Sequence, residues 1–370
     1  MTTNQNIPNG ENGSENSRIL RKVPKFDKQG VTKSAPKESI YSQKRIMTFS
    51  NDSFLKRLPI SVYRFQHHRG KGIIGILTRE TDAMKLLCIA DPFETLLLFT
   101  DKGKVFSLKW HEIPIEASSE AKGMAITDLL HIAEGEKITA LVPVPDLKEG
   151  YVFFMEDSPE VFGFDIEETD IKQEYFLLMA TEKGEIKKTS LKLFGSIRSS
   201  GIIAMDIEKG DKLVAAGVTA DSDDDVILVT EQGRSIRFAV KSLRNNSRTS
   251  GGIRAIRLNE GDKLVSMSVV ARETHLLVMT VNGYGKLTPV EHYKRQKRGG
   301  VGIKTLKVSD KSGKMAAARL VNKDQYLMLV SKCGVVISTR IKEVIGRTAQ
   351  GVLVMRMKEG DRIAAVAAWD

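Results

Sequence analysis

The chain has 370 residues, 41% of them hydrophobic, and its 57 Lys and Arg against 46 Asp and Glu give a formal net charge of +11. That length and apolar content support a sizeable core, while no apolar run approaches a membrane span and the first thirty residues hold no signal-peptide core, so a cytoplasmic protein is expected. The positive excess favours a polyanionic partner, nucleic acid ahead of a membrane surface, and the two cysteines, Cys88 and Cys333, lie far apart in apolar runs, which excludes a disulfide framework or a cysteine metal site.

Residues 1–44 are rich in Asn, Gly, Ser and Lys, with few apolar residues and no period, and read as a disordered basic arm. Such an arm suits a phosphate backbone and suits a solubilising tail equally. From residue 45 the text repeats. Apolar strand-like runs recur as RIMTF (45–49), TLLLFT (95–100), EYFLLMAT (174–181), DVILVT (225–230), HLLVMT (275–280) and QYLMLVS (325–331), about fifty residues apart from the second onward, with one longer gap. Each is followed by a turn and a second strand, and the Lys-Gly, Gln-Gly, Asn-Gly and Cys-Gly turns supply the residue with φ > 0 that a tight hairpin needs. The second half of each unit repeats too, from Arg198, Arg248 and Arg347 and more loosely from Ala121, as a Gly-bearing loop, a strand, an acidic-Gly turn and another strand. Six all-β units of about four strands predict a propeller-like ring or spiral over 45–370, with a solenoid of sheets as the alternative. The long gap holds an acidic segment at 151–173, which reads as an added hairpin.

Cations recur at matching places in the units. Lys56 and Arg57, Lys104, Lys187 and Lys188, Arg234 and Arg237, Lys286, and Arg340 follow the successive hairpin turns, and Arg69, Lys71, Lys122, Arg198, Arg248, Lys297, Arg298 and Arg347 lie in the inter-strand loops. The stretch Gln296–Gly302, QKRGGVG, adds Gly299, Gly300 and Gly302 to its two cations; glycines let backbone N–H groups approach a bulky anion. Recurrence at one place per unit points to phosphate contacts spread along a path, which is what bending duplex DNA demands, since a 40–90° bend costs roughly 1–6 kcal/mol. No base-reading helix is present, so little sequence preference is expected. A competing use for edge lysines is to keep sheets from pairing.

The repeated hairpins, the GDKLV-type turns, NGYGKLTPVEHY (282–293) and QKRGGVG together resemble the C-terminal domain of DNA gyrase A, with the paralogous topoisomerase IV domain second. The resemblance covers about Arg45 to Asp370 and implies a six-bladed β-pinwheel that binds and wraps duplex DNA on a basic perimeter. The family heptapeptide QRRGGKG normally sits in the first blade. Here that position reads QHHRGKG (Gln66–Gly72), with histidines where the family has arginines, and the better match lies in the fifth unit. Neutral histidines weaken phosphate attraction at the first position, which leaves open whether DNA is wrapped or only bent.

No catalytic, cofactor or metal site is expected: no breakage–reunion module with a tyrosine nucleophile, no P-loop and no metal-ligand spacing occurs, and DSDDD (221–225) lacks the EF-hand pattern. The function read from the sequence is non-sequence-specific duplex DNA binding and wrapping or bending. The chain would act alone or as a split-gene component beside a separately encoded gyrase A catalytic chain and, through it, gyrase B. The alternative is a propeller adapted to bind protein.

Overall fold

Asp225–Thr230 is buried at all six positions, and the equivalent strands Thr95–Thr100, Phe176–Thr181 and His275–Thr280 are buried at all but the first. A strand apolar on both faces must be covered on both, and here a neighbouring sheet covers each side. The fold is seen in a computed structural model that describes residues 45–50, 53–59, 73–74, 84–90, 94–116, 123–144, 174–220, 223–270, 274–340 and 346–369. The arm at 1–44, the first-unit heptapeptide and the acidic segment at 151–173 lie outside the described residues.

The result is all-β: six four-stranded antiparallel sheets arranged as blades of a propeller. In the first blade the order from the inside is Met84–Ala90, Arg45–Ser50, Phe54–Pro59 and Met124–Ala125. The outermost strand belongs to the next repeat, and the same holds around the ring. Ile202–Ile203, Ile253–Arg254, Ile303–Lys304 and Val352–Leu353 complete the second to fifth blades. Ile73–Ile74 of the first repeat completes the sixth, where Ile73 pairs with Val336 and Ile74 with Val335. The innermost strands also touch one another in cyclic order. The ring is therefore closed by strand exchange between its first and last repeats.

Each junction between blades holds its own apolar cluster. Phe49 and Leu55 meet Leu98 and Trp110 between the first two blades, and Ile46, Leu58 and Leu87 meet Met328, Val330 and Val336 where the sixth blade returns to the first. Fully burying one such side chain stabilises by about 1.5–3 kcal/mol. The junctions are what make the repeats interdependent.

Local chemistry fixes each hairpin. The apolar run ends in Thr or Ser, and that hydroxyl accepts the N–H four residues on: Phe54 to Ser50, Lys104 to Thr100, Glu185 to Thr181, Arg234 to Thr230, Tyr284 to Thr280 and Val335 to Ser331, all at 3.1–3.2 Å. The acidic-Gly turns have an equally definite use. A carboxylate oxygen of Asp211, Asp262 and Asp361 accepts the main-chain N–H of Lys183, Gln232 and Cys333 in the hairpin turn of the same repeat, at 3.0, 2.9 and 3.1 Å. In the second repeat the roles are exchanged, and Asp101 of the hairpin turn accepts from Lys137 at 3.0 Å.

Candidate nucleic-acid interface

The loops that carry the recurring cations are brought to the outside of the ring by the strand exchange. The carbonyls of four hairpin-turn glycines each receive two N–H groups from the following repeat. Ala204 and Met205 bind Gly103, Ala255 and Ile256 bind Gly184, Thr305 and Leu306 bind Gly233, and Val354 and Met355 bind Gly283. Each latch holds the short outer strand, and the preceding loop is thereby laid over the outer strand of the previous blade.

Each loop then bonds to the outer strand of the preceding repeat, or to the residues just after it. The Arg248 guanidinium donates to the Ile203 carbonyl at 2.6 Å, Arg298 donates to that of Arg254 at 2.5 Å, and Arg347 donates to that of Lys304. Main-chain bonds join the same segments in both directions: Asp206 N–H to Ser250 at 3.0 Å, Arg257 N–H to Gly300 at 2.8 Å and Gly299 N–H to Ala255 at 2.7 Å. The loop-and-strand segments 196–206, 246–257, 296–304 and 346–353 so form one continuous string along the second to fifth blades.

The heptapeptide Gln296–Gly302 lies within this string. The Gln296 N–H donates to Arg237 O at 2.8 Å, and Arg234 holds the far end, its Nε on the Val301 carbonyl at 2.7 Å and its Nη2 on that of Gly302 at 2.9 Å. Gly302 has φ 67°, and a Cβ there would stand 2.5 Å from the Ser235 carbonyl oxygen, so only glycine lets the loop approach the sheet this closely. Lys297 is exposed and Arg298 half-buried.

The other predicted residues fall into distinct places. Arg198 is exposed, and Arg248 and Arg347 are half-buried beside their carbonyl partners. Arg69, Lys71 and Lys122 lie outside the described residues. The hairpin cations mostly turn inward. Lys187 and Lys286 are 0% exposed, and Lys56, Arg57 and Lys188 are buried as well. The Lys187 ammonium donates to the carbonyls of Ala204, Arg248 and Ser250 at 2.8, 2.6 and 2.9 Å, and that of Lys286 to Gly346 and Arg347 at 2.8 and 2.5 Å. Burial, and then the nearby arginine, lower both lysines to about 8. Arg57 donates to Trp110 O at 2.7 Å, Lys188 lies 4.6 Å from the centre of the Phe176 ring, and Arg340 stacks 3.9 Å from that of Tyr326. Lys104 sits 3.6 Å from Glu136.

Arg237 belongs to a buried charge group. Its Nε lies 2.6 Å from Asp225, which is 2% exposed, while its Nη1 donates to Val290 O at 2.8 Å in the next repeat. Arg295, just upstream of the heptapeptide, shares the same carboxylate at 2.8 Å. Removing the anion leaves Arg237 with no counter-charge in a mostly buried place, so Asp225→Asn is expected to destabilise the ring by about 3 kcal/mol. Urea unfolding checks this, and an unchanged midpoint would show that the group contributes no stability.

The structure also exposes cations that were not singled out from the sequence. Arg254 and Lys304 are the second residues of their short outer strands, and Arg257, Lys307 and Arg356 follow at a constant offset; all five are exposed beside the string of loops. The signal in the sequence was the same recurrence, one strand later than the loop glycines. Among the described residues no group of three or more His, Cys, Asp or Glu side chains is placed to hold a metal ion, and no helix is long and apolar enough to cross a membrane.

Comparison with known proteins agrees with this architecture repeat by repeat. The family described as DNA gyrase C-terminal domain, beta-propeller, matches residues 44–84, 94–145, 175–220, 224–271, 274–322 and 325–370, one segment per blade. The DNA gyrase A protein of Dehalogenimonas lykanthroporepellens is 42% identical over 348 residues, covering 92% of this chain and 40% of the relative. Its counterpart in Staphylococcus epidermidis is 33% identical over 326 residues, 87% of this chain and 34% of its own. The chain thus spans well under half the length of these relatives. Among solved structures, a DNA gyrase A C-terminal domain superposes with a TM-score of 0.75 at 23% identity, covering 88% of this chain and all of that one. A topoisomerase IV C-terminal domain gives 0.62 at 19%, covering 90% and 95%. The second match supports the fold alone, as does the first. Six matched segments, one for each blade from residue 44 onward, establish that this chain belongs to the DNA gyrase C-terminal domain family of β-propellers.

Proposed function

We propose that this propeller binds duplex DNA through its phosphate backbone and bends or wraps it along the string of perimeter loops, as the non-catalytic, DNA-organising part of a type II topoisomerase. The observation that carries this is the continuity of the string: each loop is bonded to the outer-strand segment of the preceding repeat, and four such segments in a row bring cations to the outside of their blades. A wrap must be repaid by contacts spread along the bend, each releasing counterions from phosphate, and evenly spaced blades offer that spread. Loops and short strands offer no helix for the major groove, so binding should be indifferent to sequence. A gyrase A catalytic chain, and gyrase B through it, is the partner this role calls for, and the bacterial nucleoid is the place.

The test is ligation of nicked circular plasmid in the presence of increasing protein, at low and moderate salt, followed by topoisomer gels. A protein-dependent shift in linking number is expected if the wrap has a hand. Retardation without a shift would mean binding with planar bending. Neither, even at low salt, would sink the reading and favour a propeller that binds protein.

A further inference from the structure

The third residue of the outer hairpin strand alternates around the ring: Lys56, Phe106, Lys187, Ile236, Lys286 and Ile337 in blades one to six. All six are buried, and the first five meet the perimeter loop laid over their blade by the next repeat. A Cβ on Gly201 would stand 2.8 Å from the Phe106 ring, one on Gly123 would stand 2.6 Å from Lys56 Cγ, and one on Gly300 would stand 3.7 Å from Ile236. On the third and fifth blades the buried group is an ammonium, and it collects loop carbonyls. Lys187 takes those of Arg248 and Ser250, and Lys286 takes those of Gly346 and Arg347.

A loop peptide has two ends. Turning its carbonyl inward removes a negative dipole end from the face an anion would approach and leaves the positive end toward that face. A buried cation also raises the potential above it more than an exposed one, because little solvent screens it. Fully burying a lysine merely to hold a loop is costly. Two of the described loops share the arrangement, and in each one of the captured carbonyls belongs to the loop arginine itself, Arg248 or Arg347.

We propose that Lys187 and Lys286 are positioning residues for phosphate binding: buried cations that turn the loop carbonyls inward, aim Arg248 and Arg347, and supply positive potential from beneath without touching DNA. This rests on the DNA-binding reading above. The groups facing Lys187 are Arg248 and Asp206, and Lys286 faces Arg347.

The experiment measures affinity for a short duplex of arbitrary sequence against salt and pH, using the full chain and its Lys187→Met/Lys286→Met variant. At pH 7 the variant should bind about tenfold more weakly, with the salt slope reduced by about one for each loop. The wild type carries its own signature. Both ammonium groups sit near 8 in the free protein, and a bound phosphate raises them, so affinity should fall severalfold as pH rises from 7 to 9. Exposed lysines, near 10.4, do not titrate in that range. The variant should be flat over the same interval. A wild type with no pH dependence between 7 and 9 overturns the proposal without any variant being folded. A folded variant that keeps wild-type affinity, slope and pH profile overturns it too. A wild type that binds no duplex at low salt sinks instead the DNA-binding reading on which it rests.

Discussion

Alanine at Arg198, Arg254, Lys297 and Lys304 together is expected to weaken duplex binding roughly a thousandfold at 0.1 M salt and to lower the salt slope by about 3.6. That is what losing four phosphate contacts means when each contributes about 0.9 to the slope. All four side chains are exposed on the perimeter string, and none forms an ion pair among the described residues. Folding should be nearly untouched, since surface changes of this kind usually stay within about 0.5 kcal/mol each. The control is Lys263→Ala/Lys314→Ala. Those lysines are already paired, at 3.2 Å to Glu182 and 3.0 Å to Glu231, so removing them changes net charge without removing free cations from the string. Equal loss per charge in the two variants would show that total charge, and not the string, determines binding.

The largest effect on stability is expected at a hairpin turn. Gly283 has φ 81°, and a Cβ there would stand 2.1 Å from the Met355 carbonyl oxygen, in the segment that its own carbonyl latches. Gly283→Ala adds left-handed strain to a backbone collision that no side-chain rotation relieves, and it should cost about 3–4 kcal/mol. Gly261, in an acidic-Gly turn, separates the two causes. Its φ is 69° but nothing lies within 4 Å of the added carbon, so Gly261→Ala should cost only about 1 kcal/mol. Urea unfolding followed by tryptophan fluorescence compares them, since Trp110 is fully buried at a blade junction. Equal losses would mean that the latched segment moves aside and that the exchange contributes little.

These two glycines show which parts of the fold could be read in advance. The runs, the turn glycines and the six-fold repeat are local patterns, and the structure keeps them: every apolar run becomes a middle strand and every acidic-Gly turn sits beside its hairpin. The outer strand's origin is written in no local pattern, since Ile253–Arg254 pairs with residues of the previous repeat, and only the family resemblance implies blades that exchange strands. The same non-local cover explains the hairpin cations. Lys187 and Lys188 look outward if their strand is taken as the blade's edge, yet the next repeat's loop lies over it and the ammonium of Lys187 ends among carbonyls. Arg237 likewise serves Asp225 and the following repeat. The loop arginines were legible as a recurring set, but not as a chain, since each one's partner is the carbonyl of an earlier repeat.

The pairing of Ile73–Ile74 with Val335–Val336 ties assembly of the ring to the order of translation. A ribosome delivers the first repeat long before the last. Blades one to five can each gain their final strand as soon as the next repeat emerges, so they mature one after another, by contacts between neighbours in sequence. The sixth takes its final strand from the first repeat, and closing the ring is the single step that must bring distant parts of the chain together. Its entropic cost grows only slowly with the length enclosed, but its rate suffers from the search. Until that step is taken the nascent protein carries an open outer edge on its last blade, the kind of edge to which other chains add.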